Sequence, residues 1–421
     1  MKNKLFSRDF SLVVVGQIIS ILGSAVLRFA VNLYILDVTG RADTFGLMVA
    51  VSAIPAVLFT PLGGAIADRF HRRNLMVIFD FSSSIVVLCL ILLLSTGEPP
   101  IVVIGVILVL LSVISAMYQP TVQSSVPVLV GKGQLASGNG IVTGVGALSG
   151  LLGPVLGGTL YGIVGLRVLV AASCGAFFLS AVMEIFIRIP FTNQVRDKGM
   201  VSTIVGDMKQ GMRYVVREKP VILKVLFLGA MLNMFMSPFF IVGVPYILRI
   251  TLGSDETMYG IGMAISQLSA ILGAVSVSFV TKKMTLSTTH RLLFTSSAAM
   301  LPIAFAVTPI FLRLGYWPPF VLLMVFIALI ILFSTAISIF VVTSVQIVTP
   351  DDMLGKVMSI IMAIAQCAAP LGMALYGVAF EMFSEMVYIP ALLAAFFTAT
   401  IAFIARKTLK GSDAAVGQNL F

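Results

Sequence analysis

Three ionisable side chains fall where an apolar interior would surround them: Arg28, Asp80 and Glu184. Arg28 lies deep in the apolar stretch 10–36. Insertion scales put the cost of Arg near a bilayer centre at roughly 2.5–3.5 kcal/mol. A charge is kept there when it meets a partner, a ligand group or water. On a helix, Gln17, Ser20, Ser24, Arg28 and Asn32 fall within an arc of roughly 120°, so one wall of this stretch is polar along most of its length. That is the pattern of a helix lining an aqueous path. A second stretch repeats it, because Ser112, Ser115, Gln119 and Gln123 share an arc of about 80°.

Asp80 and Glu184 are the two acids well inside apolar stretches, at 74–95 and 167–189. Direct pairing of Asp80 with Arg28 is not expected, since at 1.5 Å per residue their depths differ by roughly 14 Å. Asp80 is expected to meet the Arg69–Arg73 cluster instead. Glu184 is expected to snorkel to the inner interface, with a proton site as the alternative. Arg28 then has two readings. It faces a cavity and meets an anionic ligand group or competes with a proton, or it is held by carbonyls and the Gln/Ser stripe. Later in the chain the polar positions are sparser: Asn233 and Ser237, then Ser334, Thr335, Ser338 and Gln346. Met231, Met234, Phe235, Met236, Phe239 and Phe240 form a soft apolar surface suited to a bulky amphipathic ligand.

Other chemistry is poorly represented. Cys89, Cys174 and Cys367 fall in three separate stretches, and His71 and His290 fall in loops. No metal cluster, nucleophile–base set or phosphate-binding loop is expected, hence no cofactor, no intrinsic ATP drive and no enzyme activity.

The elements that must position these residues are membrane spans. Of the 421 residues, 59% are hydrophobic and 10% charged, with mean hydropathy +1.10; soluble chains carry about 25% charged residues. Apolar stretches of about 20 residues recur throughout. The spacing predicts an all-α polytopic membrane protein with twelve transmembrane helices, near 10–36, 44–67, 74–95, 100–122, 136–163, 167–189, 221–249, 258–281, 291–313, 317–346, 356–380 and 387–405. With the N-terminus inside, 22 of the 27 Lys and Arg residues fall on the inner side. This is the positive-inside rule, and it accounts for the net charge of +10 without nucleic acid. The basic start runs into a stretch too long for a cleavable signal, so both termini are expected in the cytoplasm. The chain divides into a six-helix bundle at 1–190, a linker at 191–220, a second six-helix bundle at 221–405 and a tail at 406–421. In the linker, Val201, Ile204, Val205, Met208, Met212 and Val215 recur at helical spacing, predicting an amphipathic helix on the inner membrane face. Gln123-x-x-x-Pro127 and Gln346-x-x-x-Pro350 recur at equivalent places, which supports a duplicated unit.

Two motifs carry a family resemblance. Residues Gly64-Ala65-Ile66-Ala67-Asp68-Arg69-Phe70-His71-Arg72-Arg73 resemble the major facilitator superfamily signature G-x-x-x-D-R-x-G-R-R, with His71 in place of the second glycine. Residues Gly150, Gly153, Pro154, Gly157 and Gly158 resemble the G-x-x-x-G-P-x-x-G-G motif of its drug antiporters, with Ser149 in place of the first glycine. Gly260, Gly262, Ala264 and Gly273 offer a facing surface. The run from Tyr118-Gln119-Pro120 to Gly157-Gly158 looks like the branch of macrolide-efflux, enterobactin-export and lysophospholipid-transport proteins. So do Asp207-Met208-x-x-Gly211-x-Arg213-Tyr214 and Pro350-x-x-x-x-Gly355-Lys356-Val357-Met358.

The resemblance implies two pseudo-symmetric bundles and a cytoplasmic gate built from Gly64, Asp68, Arg69, Arg72 and Arg73, to which we add Lys356 as counterion. It implies a monomeric transporter of the bacterial cytoplasmic membrane, among membrane lipids, exporting a drug-like amphipathic molecule by alternating access and proton antiport. A lysophospholipid flippase or siderophore exporter is the alternative. A channel or non-transporting receptor is the reading from another class.

Overall fold

Hydrocarbon supplies no hydrogen-bond partners, so a spanning segment must satisfy its own backbone, and a helix does so. The computed structural model describes residues 7–67, 69–97, 99–130, 134–189, 200–280 and 285–410, and its elements are helical throughout. The first four spans are Arg8–Thr39, Ala42–Ala67, Arg72–Thr96 and Ile101–Leu129. One helical run, Leu135–Ile185, holds the fifth and sixth, folded about Gly165, whose φ of 72° and ψ of 172° suit a residue without Cβ. The seventh starts as Pro220–Phe235 and continues through wider turns at Phe239–Gly243 and Ile247–Thr251. Pro238 and Pro245 lie there, and proline cannot donate to the preceding turn. The last five are Glu256–Val280, Thr289–Ala306, Trp317–Val348, Asp351–Met382 and Tyr388–Thr408. Several outlast their predicted ends, because helical hydrogen bonding does not stop where the hydrocarbon does. Among the described residues, nine helical runs are long and apolar enough to cross a membrane, and the run Ser137–Ile185 has the length of two crossings.

The chain forms two compact units. The first comprises Met1–Val38, Val51–Gly199 and Asp255–Ala264, and the second comprises Thr39–Ala50, Met200–Ser254 and Ile265–Phe421. Two short segments thus leave the order of the chain, and both do so at glycines. In the second unit a Cβ on Gly46 would lie 2.8 Å from Gly377 Cα, so the backbones there touch. Glu381 Oε2 accepts from the Ala42 amide at 3.0 Å, and Arg41 pairs with Asp43. In the first unit, a Cβ on Gly158 would collide with the Glu256 carbonyl oxygen, and Gly260 lies beside it.

Each unit has its own apolar core. In the first, Phe10 and Val13 meet Met76, Tyr118, Val122, Val126 and Val142, which joins spans one, three, four and five. In the second, Ile222, Val225, Leu293, Ile337, Val357, Ile360 and Ile401 join spans seven and nine to twelve.

The linker holds the expected helix, Met200–Arg217, and its later turns rest on protein. Tyr214 and Val215 are buried in the second core, and Gly211 lies against Lys356 and Ile360 of the eleventh span. Of its apolar stripe, Met212 and Val215 pack on protein and Met208 is exposed, while the side chains of Val201, Ile204 and Val205 lie outside those described. The Met/Phe surface is enclosed in part. Phe235 stacks on Phe397 at 4.5 Å, and Phe239 packs on Phe380 and Tyr376. Met236 is buried with Phe239. Met236 and Phe239 are thus core, while Met231, Met234, Phe235 and Phe240 stay half-buried.

Gly372 marks the tightest crossing in the second unit, since an added Cβ would run into the Met234 carbonyl oxygen. Gly175 has nothing within 4 Å of an added Cβ. Gly372→Ala is expected to cost about 1–3 kcal/mol as overpacking, seen as a lower unfolding temperature of the purified protein. Gly175→Ala is expected to leave that temperature unchanged or raise it.

Candidate functional site

The sixth span is fastened to the first by two matching contacts. Ser173 Oγ donates to the Gly23 carbonyl at 3.1 Å, and Ser180 Oγ donates to the Gly16 carbonyl at 3.0 Å. Both pairs are seven residues apart, two turns of helix, and they run in opposite directions, as antiparallel neighbours must. Glycine makes this possible. A Cβ on Gly23 would stand 3.0 Å from Ala176 Cβ, and one on Gly16 would stand 3.3 Å from Ser180 Oγ.

That seam carries Glu184 to the interior. Its side chain lies beside Gly16 and has no exposed surface, and the Tyr118 hydroxyl of the fourth span donates to Glu184 Oε1 at 2.8 Å. Glu184 therefore does not snorkel to the interface. Asp80 is 2% exposed and accepts from Ser20 Oγ at 2.8 Å through Oδ1. It meets the first span rather than the Arg69–Arg73 cluster. The reason is register: Asp80 lies two turns above the arginines, on the face of the third span that meets spans one and six. Ser84, one turn further along that face, hydrogen-bonds the Cys174 carbonyl at 3.2 Å. Asp80 Oδ2, Glu184 Oε2 and both amide atoms of Gln17 are buried without a hydrogen-bond partner among the described residues.

Beside the acids lies a partly open pocket, one of whose walls is Asp80 itself. Its polar lining is Ser20, Ser24, Asp80, Ser83, Ser115, Tyr118 and Gln119, and its apolar lining is Ile21, Leu111, Ile114 and Phe177. The two sequence stripes thus meet here, though only in part. Ser112 and Gln17 are buried beside the cavity rather than in it, Gln123 is exposed, and Asn32 is half-buried further along the first span. Arg28 Nε donates to Ser24 Oγ at 3.3 Å, and no described acid forms an ion pair with it. Arg28 is thereby held one turn from a cavity-lining hydroxyl.

The glycine motif of the fifth span supports the same helix. A Cβ on Gly153 would stand 2.7 Å from Ala25 Cβ, and one on Gly157 would stand 2.9 Å from Phe29 Cδ1. These two glycines pack on the first span on either side of Arg28. Gly158 and the Pro154 carbonyl face Gly260 of the eighth span. Gly150 is half-buried on the same helix.

The predicted gate is only partly in view. Asp68 lies outside the described residues, and Gly64 falls in the last turns of the second span. Arg72 Nε donates to the Ala67 carbonyl at 3.3 Å and so caps that helix. The Arg69 amide bonds the Ile66 carbonyl at 3.0 Å, and Arg73 Nε is buried. Lys356 Nζ donates to Gln210 Oε1 of the linker helix at 2.7 Å. In the second unit the polar positions serve their own helices: Asn233 Nδ2 donates to the Gly229 carbonyl at 3.0 Å, and Ser334 and Thr335 bond the carbonyls of Ile330 and Ile331.

Comparison with known proteins places this architecture. A family model described as Major Facilitator Superfamily matches residues 13–346. Macrolide efflux protein A of Streptococcus pyogenes is 22% identical over 216 residues, which is 51% of this chain and 53% of that protein. The match thus spans about half the length of that relative. The MFS-type transporter YfiS of Bacillus subtilis (strain 168) is 24% identical over 330 residues, 78% of this chain and 76% of that one. Among solved structures, the nucleoside transporter NupG superposes with a TM-score of 0.71 at 14% identity, covering 96% of this chain and 100% of that one. A bacterial homologue of the iron transporter ferroportin, in an inward-facing state, gives 0.69 at 14% identity, covering 94% and 98%.

The Tyr118 hydroxyl is the hydrogen-bond donor that Glu184 has in the structure. Tyr118→Phe leaves that acid without it, a loss expected to cost about 1–3 kcal/mol. A thermal unfolding comparison checks this, with Ser124→Ala, whose hydroxyl bonds its own helix, as the control expected to change little.

Proposed function

This chain belongs to the major facilitator superfamily and is a multi-pass membrane transporter, and from that premise we propose that it exports an amphipathic, macrolide-like small molecule in exchange for protons. The observation that carries the reading is the lining of the cavity in the first unit. It combines hydroxyl, amide and carboxyl groups with Ile21, Leu111, Ile114 and Phe177. A ligand with both polar and apolar faces fits such walls, whereas a small ion or a sugar would leave the apolar ones unused. The resemblance to macrolide efflux protein A supports the direction and the substrate class.

In this reading the protein is a monomer in the bacterial cytoplasmic membrane with both termini inside. The halves before and after residues 191–220 alternate access to the two sides. Asp68, Arg69, Arg72, Arg73 and Lys356 act at the inner gate, with Gly64 allowing the close helix ends. Arg28 supplies the positive charge beside the cavity, where it meets an anionic ligand group or answers the protonation of Asp80.

Inside-out membrane vesicles from expressing cells test this with a radiolabelled macrolide. Acidifying the vesicle interior is expected to drive accumulation, and a protonophore is expected to abolish it. Arg28→Ala, expressed at the normal level, is expected to lower accumulation by roughly tenfold or more, the equivalent of about 1.4 kcal/mol. Full transport by that variant would remove Arg28 from the mechanism. Stimulation by lysophospholipid in place of the macrolide would transfer the same cavity to a lipid substrate.

A further inference from the structure

The first unit buries two carboxyl groups that no described cation neutralises. Asp80 and Glu184 come from different helices, the third and sixth spans, and are brought together by shared neighbours: Ser20, which bonds Asp80, lies one turn from Gly16, which packs on Glu184, and Tyr118, which bonds Glu184, lines the same pocket as Asp80. Each has one oxygen held by a hydroxyl, Ser20 for Asp80 and Tyr118 for Glu184, and one buried oxygen without a partner. Asp80 also lines the cavity, as does Tyr118. A carboxylate can accept at both oxygens and donates only when protonated. Two like charges in one poorly solvated site cannot both be kept, so such a pair holds a proton and titrates as a unit.

We infer that Asp80 and Glu184 form one proton-binding site in the first unit, in which a single proton is retained between two buried carboxyl groups and exchanged with the cavity through Asp80. The inference rests on the proton-coupled reading above and deepens it by naming the site. Glu184 is the enclosed member, fixed by Tyr118, and Asp80 is the member that meets the cavity. The proton leaves one carboxyl oxygen for cavity water or for the other carboxylate, and no bond to carbon changes. The helices packed around the pair bring few other titratable groups. Tyr118 comes from the fourth span and Cys174, bonded to Ser84, from the sixth. Arg28 lies two turns beyond Ser20 on the first span, bonded to Ser24. Binding a ligand against Ser24, Ser115 and Gln119 covers the mouth of the site, which makes ligand and proton compete for one cavity as exchange requires.

Infrared pH titration of the purified full-length protein, without substrate, reads the site directly. Wild type is expected to show a carbonyl band of a protonated carboxyl group that disappears at high pH. Asp80→Asn together with Glu184→Gln is expected to abolish it, and either alone to change its titration. Tyr118→Phe is expected to move the band to higher frequency, because the carboxyl loses its donor; a merely structural tyrosine would not do this. A band unaltered in all of these variants would overturn the site. Loss of the band in the double variant, combined with wild-type vesicle flux indifferent to the pH gradient, would uphold the site and remove proton-coupled export. Gradient-driven flux that persists undiminished in Glu184→Gln would overturn the role of the site in coupling.

Discussion

The seam between the first and sixth spans is the contact on which the polar site depends. In a bilayer, apolar side chains gain little by leaving lipid for protein, so close backbone approach and hydrogen bonds decide which helices meet. Gly16 and Gly23 remove the side chains that would hold the helices apart, and Ser180 and Ser173 bond the carbonyls thus uncovered. Each such bond is worth little, about 0.6 kcal/mol on average. Their effect is positional. With the sixth span at this depth, Glu184 meets Tyr118 and the cavity is closed on one side by Phe177. Shift the register by one residue, and Glu184 would turn through about 100° toward lipid or core.

Polarity is unequally divided. In the second unit the hydroxyls and amides of Asn233, Ser334, Thr335 and Ser344 bond carbonyls of their own helices. In the first, Ser20, Ser173, Ser180 and Tyr118 reach across to neighbouring helices. A hydroxyl that bonds its own preceding turn is satisfied before anything else binds. The second unit has cross-helix bonds too, from Ser297 to the Ala395 carbonyl and from Tyr376 to the Phe235 carbonyl, but among the described residues it is in the first that such hydroxyls meet buried carboxyl groups.

Glycine placement links the two themes. Gly153 and Gly157 bring the fifth span against Ala25 and Phe29, the neighbours of Arg28. A helix packed this closely on both sides has little room to rotate. The charge at Arg28 is thus held in one direction by covalent geometry and packing, with Ser24 as its hydrogen-bond partner. The family motif that contains these glycines reads as a packing device for the helix bearing the charge.

Much of this was legible from residue order. Apolar stretches of the length of a bilayer, with basic residues beside alternate ends, leave few folds open, because backbone groups in lipid can be satisfied only within the chain. The same order identified twelve helices, the two polar stripes and the three intramembrane charges. Helical periodicity supplies an angle about one axis, and nothing about what stands opposite. That is why Ser20 and Ser24 line a cavity while Gln17, on the same stripe, is enclosed, and why Met236 and Phe239 of the Met/Phe surface are buried. It is also why Asp80 was expected to meet arginines close in sequence and instead meets Ser20, sixty positions away. Position along each span comes from the sequence; the partner of each buried charge is set by which glycines allow which helices to touch, and only the tertiary structure decides that.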